Sequence, residues 1–114
     1  MNVTIYHNPR CSKSRQTLDL IREKGIEPVV IEYLTTPPSA DELRRIVKML
    51  GIPPRALMRS KEAVEGGLDD DSLSDDLLIE GMVKHPAAIE RPIVVAGERA
   101  AIGRPPENIL DILP

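Results

Sequence analysis

The chain has one cysteine, Cys11, and it lies among cations in the run His7-Asn8-Pro9-Arg10-Cys11-Ser12-Lys13-Ser14-Arg15. A free thiol with a pKa near ~8.5 is only about 3% ionised at pH 7, and a fall of about two units would make the nucleophilic thiolate the majority form. The local sequence favours that fall. Asn8-Pro9 marks a turn, so Cys11 sits where the alternating run Val3-Thr4-Ile5-Tyr6 has ended and a helical pattern reaching about Lys24 begins. Unpaired N–H groups and the positive end of the helix dipole collect at such a point. Arg10, Lys13 and Arg15 add positive charge. The same groups would draw an anion to the sulfur. A lone cysteine can instead be a small buried hydrophobe, but apolar neighbours are missing here and cationic ones are present.

A second cationic feature comes from the far end of the chain. Pro92-Ile93-Val94-Val95-Ala96 and Arg99-Ala100-Ala101-Ile102 read as two strands around Gly97-Glu98, which fits a two-residue II′ hairpin. Counting outward from that turn, Ala96 faces Arg99, Val95 faces Ala100, Ile93 faces Ile102 and Arg91 faces Arg104. Like charges set opposite each other cost stability unless an anion lies between them. The pair is therefore either an anion pocket or two arginines splayed into water, and spacing alone does not choose. Each precedes a proline, which favours extended backbone, and Arg91-Pro92 is a candidate cis bond. Arg59 cannot be placed by local reasoning. Arginine suits a tetrahedral oxyanion because its planar fork makes paired hydrogen bonds and keeps its charge.

The elements that must position these groups follow from pattern. Val3 to Tyr6 is a strand, Gly25 stops the first helix, and Pro28-Val29-Val30-Ile31 is a second strand. One helix between two strands is a right-handed parallel βαβ unit. Ser39 stands three residues before Glu42, a capping box, and Leu43, Ile46, Val47 and Leu50 follow at helical spacing up to Gly51. Pro53-Pro54 starts a short helix carrying Arg55, Leu57, Met58 and Arg59. Glu62 to Asp76 is acidic and reads as a solvated loop. Ser74 should cap a helix with apolar stripe Leu77, Leu78, Gly81 and Met82, ended by Pro86, with His85 a plain C-terminal residue. A last helix is expected from Glu107 to about Leu113. The expected fold class is α/β: a thioredoxin-like four-stranded mixed sheet (βαβ plus ββα) in a single domain, with a helical insertion at about 39–86.

The chain as a whole sets limits. At 114 residues and 41% apolar content it is large enough for its own core, which must be aliphatic because Tyr6 and Tyr33 are the only aromatics. The net charge of −3 argues against a nucleic-acid binder. One cysteine excludes an internal disulfide and a cysteine-rich zinc site. With no apolar run long enough to span a membrane and no signal peptide, a cytoplasmic, soluble protein is expected by default. A monomer is expected. Thioredoxin-type reductants carry a second cysteine at the position of Ser14, so an oxidised Cys11 must be resolved by an outside thiol. A phosphatase-type loop would need arginine where Thr17 stands.

The segment Tyr6-His7-Asn8-Pro9-x-Cys11-x-x-Ser14-Arg15 resembles the active-site loop of the glutaredoxin-linked arsenate reductases. The likeness continues through Tyr33-Leu34-x-x-Pro37-Pro38-Ser39-x-Asp41-Glu42-Leu43, Arg55-Ala56-Leu57-x-Arg59, His85-Pro86-x-x-Ile89-x-Arg91-Pro92-Ile93-Val94-Val95 and Arg104-Pro105-x-x-x-Ile109-Leu110-Asp111-Ile112-Leu113. The resemblance implies a thioredoxin-like fold and reduction of arsenate to arsenite through a covalent adduct on Cys11. It implies that Arg59, Arg91 and Arg104 bind the oxyanion, that His7 is tied to the state of the thiol, and that Ser14 and Arg15 support the loop. His7 reads equally as a turn residue hydrogen-bonded to the loop. Glutathione would be cosubstrate and glutaredoxin the partner, with no metal and no bound cofactor. The family often has glycine after the cysteine, where Ser12 would tighten or reshape the cradle. Some relatives continue beyond the position of Pro114, past the matching motifs, so little loss is expected. The alternatives are a glutathione-dependent monothiol reductase of another substrate, or an Spx-type regulator that binds RNA polymerase. Such regulators typically use a two-cysteine switch that Ser14 would remove.

Overall fold

The computed structural model describes residues 2–114, and its contacts divide the chain into two compact units. The first runs up to Thr36 and resumes at Arg91–Pro114; the second is Pro37–Glu90.

The first unit is built on β1 (Val3–His7), α1 (Ser12–Glu23), β2 (Val29–Glu32), β3 (Ile93–Ala96) and β4 (Arg99–Ile102). They form a four-stranded sheet in the order β2-β1-β3-β4, with β1 and β2 parallel and the other pairs antiparallel. This is the expected thioredoxin-like mixed sheet. Register at the hairpin is as counted from sequence: Ala96 pairs Arg99, Val95 pairs Ala100 and Ile93 pairs Ile102. Gly97 has φ +62, while no described non-glycine residue, Glu98 included, has positive φ. That excludes a type I′ turn and fits II′. Both Arg91-Pro92 and Arg104-Pro105 are cis, the second of which the sequence did not flag.

Helix α1 buries Ser14, Thr17, Leu18 and Ile21, one face at helical spacing. Leu18 and Ile21 join Val3, Ile5, Val94, Ala96, Ile109 and Ile112 in a wholly aliphatic core. Gly25 ends the helix with φ +78: its N–H donates to the Arg22 carbonyl and that of Ile26 to the Ile21 carbonyl, a Schellman motif. One expectation needs correction here. The chain closes in a 3-10 helix, Pro106–Ile112, rather than an α-helix; its Asn108 N–H bonds three residues back, to the Pro105 carbonyl. Strand β2 is apolar yet open to solvent, with Val29 and Val30 56% and 38% exposed, because it is the sheet edge.

The second unit is helical: α2 (Ala40–Leu50), a 3-10 helix at Pro54–Leu57, α3 (Ser60–Glu65), α4 (Asp75–Lys84) and a short 3-10 turn at Pro86–Ala88. Ser39 Oγ accepts from the Glu42 N–H at 3.1 Å and Ser74 Oγ from the Leu77 N–H at 3.2 Å, so both expected caps form. Here too the sequence misjudged two places. The acidic stretch is not all loop: Ser60–Glu65 is helical and buries Ala63, and Leu68 is buried behind it. Leu68 lies so close to Gly81 that a Cβ there would meet its Cδ2. The stripe of α4 is Leu78, Ile79 and Met82, while Leu77 is 51% exposed; a cap at Ser74 turns Leu77 outward. Among the described residues no helix is long and apolar enough to cross a membrane.

Candidate active site

Tight local bonding builds the loop between β1 and α1. The Cys11 N–H donates to the Asn8 carbonyl at 3.0 Å, closing a turn with Pro9 at its first central position. Asn8 Oδ1 accepts from the Arg10 N–H at 3.0 Å, an Asx turn. From the helix side, the buried Ser14 hydroxyl accepts from the Asn8 N–H at 3.0 Å and lies 2.6 Å from His7 Nδ1. Burial first, and then Arg22 and Arg15, lower the His7 pKa against the opposing pull of Glu32. A neutral imidazole that accepts the Ser14 O–H bond at Nδ1 satisfies both groups. Arg15 braces the loop by donating to the Pro9 carbonyl at 2.8 Å.

Cys11 is the N-cap of α1, with extended φ −92 and ψ 122 and no cap bond of hydroxyl type. Burial pushes its thiol up, but the Ser14 amide, the Arg91 guanidinium and the Lys13 amide outweigh that, and the pKa falls below its ordinary value. A thiolate is large and diffuse, so it gains from amides held at longer range than a hydroxyl cap needs. Arg104 Nη2 lies 3.5 Å from the sulfur, and its Nε donates to the Arg91 carbonyl at 2.8 Å. The two arginines flanking the hairpin thus converge on the one thiol. Gly103 makes this possible: a Cβ there would stand 2.5 Å from Thr17 Oγ1 and 2.8 Å from Pro92 Cγ.

Cys11, His7, Ser14, Arg15, Arg91 and Arg104 all meet in the first unit. Arg59 belongs to the second, where it is the N-cap of α3. Its backbone N–H donates to the Ala88 carbonyl at 2.8 Å, and its guanidinium spans two carboxylates, Glu62 at 3.3 Å and Glu90 at 3.2 Å. Sequence reasoning did not single out Tyr33, which is 1% exposed and whose phenol interacts with Arg91 and Asn8. Its signals were to be one of two aromatics in the chain and to head one of the matched stretches. Among the described residues no group of His, Cys, Asp or Glu could hold a metal ion.

A cysteine at a helix tip under two arginines is equipped to hold an oxyanion and attack its centre. The profile of the ArsC family matches residues 6–112. YfgD of Escherichia coli K12 is 55% identical over 114 residues, which is 97% of this chain and 96% of that protein. An arsenate reductase of Escherichia coli is 52% identical over 115 residues, 99% of this chain and 82% of that protein. An arsenate reductase from Vibrio cholerae has a solved structure that aligns with TM-score 0.94 and 54% identity, over 99% of this chain and 98% of its own. With nearly its whole length matched, the chain belongs to the ArsC family.

Proposed function

We propose that the protein is an arsenate reductase that uses glutathione and glutaredoxin, with Cys11 as nucleophile and Arg59, Arg91 and Arg104 as the oxyanion-binding groups. The observation that carries this reading is the Arg104 guanidinium 3.5 Å from the Cys11 sulfur, in a chain about half identical to proteins named arsenate reductase. The Cys11 thiolate attacks arsenic and an oxygen leaves as water, giving a sulfur–arsenic bond. The arginines balance charge on the remaining oxygens as that bond forms. A glutathione thiolate then attacks the Cys11 sulfur. The sulfur–arsenic bond breaks with its electron pair going to arsenic, which becomes arsenic(III). The two electrons arsenic gains are those the two sulfurs lose in forming the disulfide. Glutaredoxin removes glutathione from Cys11 and restores the thiol. With one cysteine in the chain, the second sulfur must come from outside. His7 and Ser14 hold the loop, and Arg15 braces it.

The test is arsenite formation by the purified protein with glutathione and glutaredoxin, repeated with each omitted. Turnover is expected only when all three components are present. Arsenite production without glutathione would overturn the outside-thiol route. Reduction of glutathione mixed disulfides but not of arsenate would favour the monothiol reductase instead.

A further inference from the structure

Tyr33 is the least economical residue of the first unit. Its ring is 1% exposed, and its hydroxyl is shut away from water without a hydrogen bond to any described residue. Phenylalanine would fill the same space without stranding a polar group, and a stranded buried hydroxyl is costly. The hydroxyl is not remote from partners. It lies within interaction range of the Arg91 guanidinium and the Asn8 side chain, and feels the charge of Cys11. Both neighbours suit it. Asn8 Oδ1 accepts one bond, from the Arg10 N–H, and has a second lone pair to offer. A guanidinium has five N–H donors and the phenol oxygen can accept from one.

We propose that the Tyr33 hydroxyl is a positioning group that bridges Arg91 to Asn8 and so fixes the arginine over the Cys11 sulfur when an oxyanion is bound. It donates to Asn8 Oδ1 and accepts from Arg91. A phenol held between Asn8 Oδ1 and Arg91 keeps that guanidinium at the sulfur, so the bridge and anion binding favour each other. Asn8 is itself bonded to Cys11, Arg10 and Ser14, so the bridge joins the arginine two residues ahead of β3 to the loop that carries the nucleophile. Tyr33 touches no reacting atom in this scheme and acts through Arg91. The inference deepens the oxyanion reading of Cys11 and Arg91 and rests on it.

The test is Tyr33→Phe, with three readouts on the intact protein. The first is the Cys11 pKa, from the pH dependence of iodoacetamide alkylation. The second is the arsenate concentration giving half-protection of Cys11 from alkylation. The third is the thermal midpoint. Arg91, Arg104, the amides of Lys13 and Ser14 and Tyr33 itself are the groups that bear on this sulfur. The variant should raise the Cys11 pKa by ~0.5 unit and the half-protection concentration about fivefold, with the midpoint unchanged or higher. In an Arg91→Ala background it should add nothing to either thiol readout. Wild-type values in Tyr33→Phe, or full additivity with Arg91→Ala, would overturn the proposal. So would a lowered midpoint with unchanged thiol readouts, since that is the mark of packing alone. If arsenate gives wild-type protein no protection, the oxyanion reading itself falls, and the thiol pKa in the two backgrounds still decides whether Tyr33 acts through Arg91.

Discussion

Helix α1 begins in the opposite way to α2 and α4 of the second unit. α2 and α4 open on Ser39 and Ser74, whose hydroxyls accept amide N–H bonds, and both place carboxylates in the first turn: Asp41 and Glu42, Asp75 and Asp76. Each positive helix end is thereby closed by the chain itself. α1 opens on Cys11, makes no side-chain cap bond and has no acidic residue in its first turn. Its Lys13 and Ser14 amides are left for the sulfur, and Arg91 adds positive charge beside it. A structural helix end spends its field on a cap, whereas the end at Cys11 keeps it for a thiolate and whatever binds there. Arg104 donates to the Arg91 carbonyl and reaches the sulfur, while Arg59 pairs with Glu62 and Glu90.

The contrast can be broken at either kind of helix end. The largest effect is expected from Cys11→Ser, which gives α1 a cap of the ordinary type. Arsenite formation should fall to background, and residual turnover would rule out the covalent route. The same variant tests the field. Because the folded thiol pKa is lowered, Cys11 contributes stability that is full above its unfolded value near ~8.5 and is lost as pH falls through the folded value. The urea midpoint of the wild type relative to Cys11→Ser should therefore rise with pH from below the folded thiol value up to the unfolded value near ~8.5; a flat difference would mean that the thiol is unperturbed. Next in size, Arg104→Ala should raise the arsenate requirement about ten- to a hundredfold, the loss of one charged hydrogen-bonding group. Its stability should change by no more than about 0.5 kcal/mol, as at other exposed sites; a much larger loss in a denaturation series would make Arg104 structural. The smallest effect on chemistry belongs to Ser39→Ala and Ser74→Ala. Each should cost about 1 kcal/mol of stability and leave the Cys11 pKa where it was. A shifted thiol in either variant would show that the helix ends are not independent.

What was legible in the sequence was what local chemistry dictates. Gly97-Glu98 fixed the hairpin register because the II′ geometry needs glycine first, and register then set Arg91 and Arg104 near one another. Ser39, Ser74 and Gly25 marked helix ends because caps are short-range. The failures lie where burial overrides composition. Acidic residues around α3 hid Ala63 and Leu68, and Leu68 is buried against Gly81, further along the chain. Leu77 was placed on the apolar stripe because it is leucine, although the cap at Ser74 sets the phase and turns it out. Tyr33 was passed over because the burial of its hydroxyl is not a local property.

The absence of a methyl group at Gly103 reaches beyond packing. This residue is wedged against Thr17 and Pro92 immediately before Arg104. Any side chain there would pry the strand end from the helix and carry the guanidinium off the sulfur. The reach of Arg104 is thus metered by a hydrogen atom, and the anion affinity of the protein can be spoiled from a position that never meets the anion.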